Sequence, residues 1–302
     1  SLSSIDDKIS QLVRNQYEEN PYPRWINTGL RDKPNTISQV LKSNKLHLNF
    51  EAQKFSNKPD ILVAGCGTGQ HALFTASEFL NCNVLAIDLS LSSLSYAMRK
   101  TQELGVTNIE YMQGDILKLN QLERQFDIIE SAGVLHHMDD PLAGWKVLVD
   151  RLRSGGVMKV GLYSDMARQH IVKTHKHIAK KKYTISPDGI RKFRQEVINM
   201  DLNSDSEITK VISSPDFYSL SACRDLLFHV QEHRFTLPQI EVALNDLDLR
   251  FLGFELKQSW VMSFSRFYPE KDALTSLSLW HQFELKNPGT FSGMYQVWAQ
   301  KA

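Results

Sequence analysis

The chain has 302 residues, 42% hydrophobic and 23% charged, with a formal net charge of +1. That length buries a sizeable core without covalent staples, and the near-neutral balance gives no bulk attraction to nucleic acid. Cys66, Cys82 and Cys223 make no disulfide framework and point to a reduced, cytoplasmic setting. No apolar run is long enough to span a membrane, and the opening "SLSSIDDKIS" lacks the basic and apolar regions of a secretory signal. A start at Ser1 rather than Met leads us to expect a piece of a longer protein.

Ile5, Ile9, Leu12, Val13 and Gln16 follow helical spacing, with Ser4 as the expected cap and Asp7 in a weakened capping-box position. Pro21 and Pro23 end that helix. A second helical stretch, roughly residues 36–50, leads into the turn "SNKPD". From there short apolar runs alternate with helical segments. "ILVAG" (61–65), "NVLAID" (83–88), "IEYMQGD" (109–115), "FDIIESAG" (126–133) and "VMKVGLYS" (157–164) read as strands. Gly105 should stop one intervening helix, and Asp140 with Pro141 should start another. Apolar strands alternating with helices predict an α/β fold, a parallel sheet covered on both faces. Residues 165–248 then look mainly helical, with loops at "ISPDG" and "NSDSE", an insertion after the fifth strand. "LPQIEVALNDLDL" reads as helix, "RFLGFELKQSW" as strand, and "GMYQVWAQ" as a last strand.

"AGCGTGQ" follows a strand and opens a helix, the setting a nucleotide-binding turn requires. Gly65, Gly67 and Gly69 allow a tight turn and close approach of a ligand. Asp88 ends the second strand, placed to accept from ribose hydroxyls, and Asp115 ends the third, where a carboxylate meets an adenine amino group. A dinucleotide fold wants its third glycine one residue later, where Gln70 stands.

The motifs "ILVAGCGTGQ", "VLAIDLS", "YMQGDIL", "FDIIESAGVLHHMDDP" and "LRSGGVMKVGLYS" resemble those of the class I S-adenosylmethionine-dependent methyltransferases. The resemblance covers residues 58–164 and the last two strands. It implies a Rossmann-like seven-stranded sheet with an antiparallel last strand and S-adenosylmethionine as cofactor. It places Gly65, Cys66, Gly67, Gly69 and Gln70 by the methionine part, Asp88 and Leu89 by the ribose, and Asp115 with Ile116 by the adenine. Many members carry an acid two residues before the first glycine. Val63 stands there, so Ser131 and neighbouring carbonyls become the expected holders of the cofactor's ammonium. "YEENPYPRW" (17–25) and "LWHQFELKNPGTFSGMYQVW" (279–298) are similar to methyltransferase domains found behind tetratricopeptide repeats in bacterial proteins, a narrower resemblance that implies a repeat domain N-terminal to this segment.

Given that cofactor, residues 1–57 are expected to form a helical lid. Arg24 would pair with the methionine carboxylate in a fork geometry, and Tyr17, Tyr22 or Trp25 would lie near the sulfonium. His136 and His137, just beyond the fourth strand, are the expected proton acceptors, with Tyr163 as another wall. Residues 58–164 form the cofactor-binding core, 165–248 the substrate side, and 249–302 the strands that complete the sheet. Within the insertion Arg224, His229 and His233 are expected substrate contacts. The basic run 168–183 reads as a solvated face, and His170, His175 and His177 do not share one helical face as a metal site needs. The expected function is methyl transfer to a small metabolite or a protein side chain. The rival is a scaffold or regulatory module that binds the cofactor without turnover.

Overall fold

The computed structural model describes residues 2, 4–47, 55–200, 207–270 and 272–302. Two helices precede the sheet, α1 (Lys8–Glu19) and α2 (Ile37–Ser43). The expected cap at Ser4 is corrected. Asp7 caps α1, its carboxylate accepting from the Ser10 backbone N–H at 2.7 Å, while the Ser4 hydroxyl donates to Asp6. Thr36 and Gln39 form a capping box at the start of α2. That helix ends at Ser43, well short of residue 50, and Lys45 follows in a left-handed conformation. The remainder of that expected helix, from residue 48 on, lies outside the described residues, as does most of "NSDSE".

The apolar runs form β1 (Asp60–Ala64), β2 (Asn83–Asp88), β3 (Ile109–Gln113), β4 (Phe126–Ala132) and β5 (Leu152–Tyr163). β5 starts five residues before the expected Val157, with a register shift against β4 between Phe126 and Ile128. The intervening helices are α3 (Gln70–Glu78), α4 (Leu91–Glu103) and α5 (Pro141–Arg151), the last capped by Asp140 as expected. After β5 come α6 (Gln169–Lys181), α7 (Pro187–Ile198), α8 (Leu220–Leu227) and α9 (Leu237–Asp246). β6 (Leu249–Phe254), α10 (Gln258–Phe267), α11 (Leu277–Lys286) and β7 (Met294–Lys301) close the chain. "RFLGFELKQSW" is therefore strand only in its first half. Its end, Gln258 to Trp260, opens α10, because the strand pairing to β7 stops at Phe254.

The sheet has seven strands in the order β3-β2-β1-β4-β5-β7-β6. Pairing is parallel from β3 to β5, and β7 runs antiparallel to both β5 and β6. Successive residues of β1 alternate between two cores: Leu62 and Ala64 join Leu85, Ile87 and Ile129 on one face, while Ile61 and Val63 join Val84, Ala86 and Ile128 on the other. Such two-sided burial is what makes each strand read as a continuous apolar run. A third cluster, including Ile171, Ile190, Phe193, Phe217 and Phe228, lies within the insertion, whereas Leu237 and Ile240 of α9 pack with the sheet. The chain runs outward from β1 to β3 and returns to β4 on the other side of β1. That reversal opens a crevice at the carboxyl ends of β1 and β4, the place where open α/β sheets take ligands.

Candidate active site

The turn after β1 is shaped by its glycines. Gly67 has φ +53°, and a Cβ there would meet the Tyr22 carbonyl oxygen at 2.5 Å. Its backbone N–H donates to Asp88 Oδ2 at 2.8 Å, and Ser90 N donates to Oδ1 at 2.9 Å. Burial pushes the Asp88 carboxyl up, opposed by these N–H donors. Asp115 is 2% exposed. Its Oδ1 accepts from Leu117 N at 3.0 Å, while its buried Oδ2 has no hydrogen-bond partner among the described residues. A buried carboxylate oxygen left without a donor is expensive, and an amino group of a bound ligand would supply one.

A cavity of about 620 Å³ joins these groups. Gly65, Cys66, Gly67, Gln70, Asp88, Leu89, Asp115, Ile116 and Tyr17 all line it. Paired acids for hydroxyl and amino donors, beside a turn whose glycines carry no side chains of their own, fit an adenosyl cofactor. Gly69 lies outside the lining and instead caps α3 in a left-handed conformation. Ser131 is fully buried, its hydroxyl without a partner among the described residues, and it too lies outside the lining.

The N-terminal segment lines the crevice with two of the expected residues, Tyr17 and Tyr22, and not with Arg24 or Trp25. Ser10, Val13 and Tyr17 of α1, then Tyr22 and Pro23, line the cavity. Glu18 accepts from Leu91 N at 2.6 Å and Ser92 N at 3.1 Å, tying α1 to the start of α4. Two expectations are corrected. Arg24 is exposed and outside the cavity lining. Trp25 is buried against the outside of the glycine turn: its indole N–H donates to the Thr68 carbonyl at 3.2 Å and Thr68 Oγ1 at 3.0 Å, and its ring meets Tyr96 edge-on. Thr68 Oγ1 donates in turn to the Pro23 carbonyl at 2.6 Å. Thr68, invisible to motif reading because any residue suits that turn, is the hinge pin between strap and loop.

Val63 pairs in register with Glu130 of β4, and the missing acid reappears there. Glu130 is 1% exposed; it accepts from Thr75 Oγ1 at 2.5 Å and faces His71 at 3.0 Å and Lys159 at 3.3 Å. Burial alone would raise its carboxyl, but Lys159, then His71 and Thr75, hold it below the ordinary range. Lys159 also meets Glu255 at 3.5 Å, and Lys159, His71 and Glu255 line the cavity. A Glu and a Lys inside two otherwise apolar strand runs were the sequence signal for this network.

Beyond the glycine turn the cavity is walled by Tyr163, His137, Met138, Tyr22 and Asp225. His136 is corrected: it is fully buried, off the lining, and stacked on Tyr163 with ring centroids 3.6 Å apart. Arg168 lies over the same ring at 3.6 Å, so Tyr163 is sandwiched and offers the cavity only its edge and hydroxyl. His137 reaches the lining. Its Nδ1–H donates to the Gln231 carbonyl at 2.7 Å, which fixes the tautomer and leaves Nε2 with its lone pair. Burial, then His136 and His229, lower its pKa well below the usual value, so it is neutral at neutral pH.

Tyr17 donates to Asp225 Oδ1 at 2.7 Å, and His229 Nε2 lies 3.2 Å from the same hydroxyl. His229 Nδ1 accepts from Gln231 N at 3.2 Å, so Nε2 carries the proton and donates to Tyr17. Burial lowers His229 to about 4 and raises Asp225 to about 7. Of the insertion residues expected to meet substrate, Arg224 pairs with Glu19 at 2.6 Å and His233 bonds Gln231; neither they nor His229 line the cavity. Asp225, on the same helix as Arg224, does. No cluster of three or more His, Cys, Asp or Glu fit to hold a metal occurs among the described residues.

Residues 61–156 match the methyltransferase domain family model. An uncharacterised protein of Synechococcus is 28% identical over 239 residues, covering 76% of this chain and 56% of that protein. The (S)-coclaurine N-methyltransferase of Papaver somniferum is 28% identical over 115 residues, 38% of this chain and 32% of its own length. PKMT2 from Rickettsia typhi superposes with a TM-score of 0.67 at 16% identity, covering 92% of this chain and 54% of that one; the same protein with AdoHcy bound gives 0.57, with 80% and 48% covered. The seven-stranded sheet with its antiparallel β7 is the Rossmann-like class I methyltransferase fold. Residues 61–156 thus resemble a methyltransferase domain, and several relatives of this segment are named as methyltransferases. The chain spans about half the length of the Synechococcus relative and of PKMT2, and less of the Papaver enzyme. No helix among the described residues is long and apolar enough to cross a membrane.

Proposed function

We propose that the whole protein transfers the methyl group of S-adenosylmethionine to an acceptor bound in the same cavity, on the side walled by α1, the insertion and the ends of β4 and β5. The carrying observation is the continuity of one cavity from the orphaned Asp115 oxygen, past Asp88 and Gly67, to Asp225, His137 and Tyr163. In this reading Asp115 and Ile116 take the adenine and Asp88 and Leu89 the ribose. Gly65, Cys66, Gly67 and Gln70 border the amino-acid end, whose two charges meet Glu255 on one side and Lys159 with His71 on the other. The cofactor supplies a methyl group on a sulfonium, a good leaving group, so the chain's own task is alignment, exclusion of water and acceptance of one proton. Tyr17, Tyr22 and Pro23 close the cavity over the crevice; His137 Nε2 and Asp225 are the proton acceptors within it.

The functional division follows the same lines: residues 1–57 as lid, 58–164 as cofactor core, 165–248 as substrate side, and 249–302 completing the sheet. The likeness of residues 17–25 and 279–298 to methyltransferase domains behind tetratricopeptide repeats supports a bacterial, cytoplasmic protein whose repeats present the acceptor. Calorimetric titration with S-adenosylmethionine, S-adenosylhomocysteine and NAD tests the reading. Binding of the first two and not of NAD is expected; binding of NAD alone, or of none, overturns it. Binding without turnover against acceptors of every class would leave the scaffold as the function.

A further inference from the structure

The acceptor half of the cavity has a chemical character of its own. Asp225 is 7% exposed, yet it lines the cavity, and Tyr17 is its one hydrogen-bond partner among the described residues, on Oδ1. Oδ2 makes no hydrogen bond among the described residues, and Asp225 lines the cavity. Tyr17, Tyr22 and Tyr163 line the space beside it, and burial first, then the Asp225 charge, raises the hydroxyl pKa of all three. Asp216, which accepts from Tyr22 at 3.4 Å, adds a second acid behind this wall.

Nearby cations are committed elsewhere. Arg168 is held by Glu232 through bonds of 3.2 and 2.6 Å and covers Tyr163, and Arg224 is held by Glu19. Lys159, the one Lys among the described residues of the lining, which include no Arg, belongs to the Glu130–Glu255 network. A carboxylate taken this far out of water without a cation is costly. An anionic acceptor would meet only repulsion there. A neutral hydroxyl would leave the charge uncompensated.

From this geometry we propose that the acceptor is an alkylamine, bound as its ammonium by Asp225 Oδ2 with the hydroxyl oxygens of Tyr17 and Tyr163, and deprotonated by Asp225. The inference rests on the methyltransferase reading above. An ammonium has no lone pair, so it must lose a proton before it can accept carbon. Burial favours that transfer from both sides, disfavouring the charged amine and the charged carboxylate together. The freed nitrogen pair then forms the N–C bond as the S–C bond breaks with its electrons left on sulfur. Asp225 keeps the proton until it is lost to solvent. The products are a methylated amine and S-adenosylhomocysteine.

The test uses the chain saturated with S-adenosylhomocysteine and three probes of one shape, butylamine, butan-1-ol and butyrate, followed by saturation-transfer NMR. Butylamine is expected to bind about tenfold or more tightly than the other two. Asp225→Asn, whose Oδ1 still accepts from Tyr17, is expected to abolish that preference while S-adenosylhomocysteine affinity stays within about twofold, which shows the variant is folded. Equal or tighter binding of butyrate or butan-1-ol, or an amine preference that survives Asp225→Asn, overturns the amine assignment alone. Failure of the unmodified chain to bind S-adenosylhomocysteine overturns the underlying reading instead. Incubation with S-adenosylmethionine and butylamine is expected to yield N-methylbutylamine by mass spectrometry, lost in Asp225→Asn.

Discussion

Replacing Thr68 by Val removes a hydroxyl with almost no change of shape and separates the strap from the glycine turn. In the native protein Thr68 Oγ1 donates to the Pro23 carbonyl at 2.6 Å and accepts from the Trp25 indole at 3.0 Å. The indole keeps the Thr68 carbonyl at 3.2 Å, and Thr68 N keeps the Tyr22 carbonyl at 3.3 Å, so two of four contacts survive. What is lost outright is the donor to Pro23. Leaving a carbonyl in that position unpaired costs about 1–3 kcal/mol, nearer 1–2 where the strap is half-exposed. Strap opening should therefore become about 5–30 times more frequent. Trypsin cleavage after the exposed Arg24 reads that opening when reclosing outpaces cleavage. We expect its rate to rise by about that factor, and S-adenosylhomocysteine to slow it in both proteins. Unchanged cleavage at Arg24 combined with a lower unfolding midpoint would show that the hydroxyl serves the core and not the strap, and would refute the clamp.

Asp115→Asn sets an amide N–H₂ against the donor expected at the orphaned oxygen; S-adenosylhomocysteine affinity should fall about tenfold or more by calorimetry. Arg24→Ala should leave that affinity within about twofold, since an exposed guanidinium outside the cavity contributes little. Asp225 should show a pH signature in stability. Its folded pKa, about 7, lies above the unfolded value of about 3.9, so between those values the folded chain binds more protons. Stability from this group is therefore lost as pH rises through the window. Asp225→Asn should accordingly stabilise the protein by roughly 1–4 kcal/mol at pH 8 in denaturant titrations, with the gain vanishing near pH 4.

Most of the sheet, and the glycines and acids at its crevice, were legible in the sequence. Strands β1, β2, β4 and β5 announce themselves because both faces are buried, which makes each largely a run of apolar residues, whereas the edge strand β3 keeps Glu110 exposed; the glycines and acids sit at strand ends in chain order. The first residues of α10, Gln258 to Trp260, were read as a continuation of β6 because a short run carries no clear period. Arg24 and Trp25 were misplaced for a different reason: a turn with two prolines fixes that the chain bends, but not which side chain faces in. His136 and His137 are neighbours with opposite surroundings, one sealed behind Tyr163 and the other lining the cavity.

What the sequence by itself determined was the class of sheet, the switch point and the glycines and acids that line its crevice, all of which depend on residues close in the chain or on strand ends brought together by parallel pairing. Tertiary structure alone decided the acceptor side. Asp225 meets Tyr17 across 208 positions, and Glu130 meets His71 and Lys159 from three separate elements. No local pattern encodes such encounters, because their partners are chosen by packing of the insertion and α1 over the crevice, and burial then sets their charge.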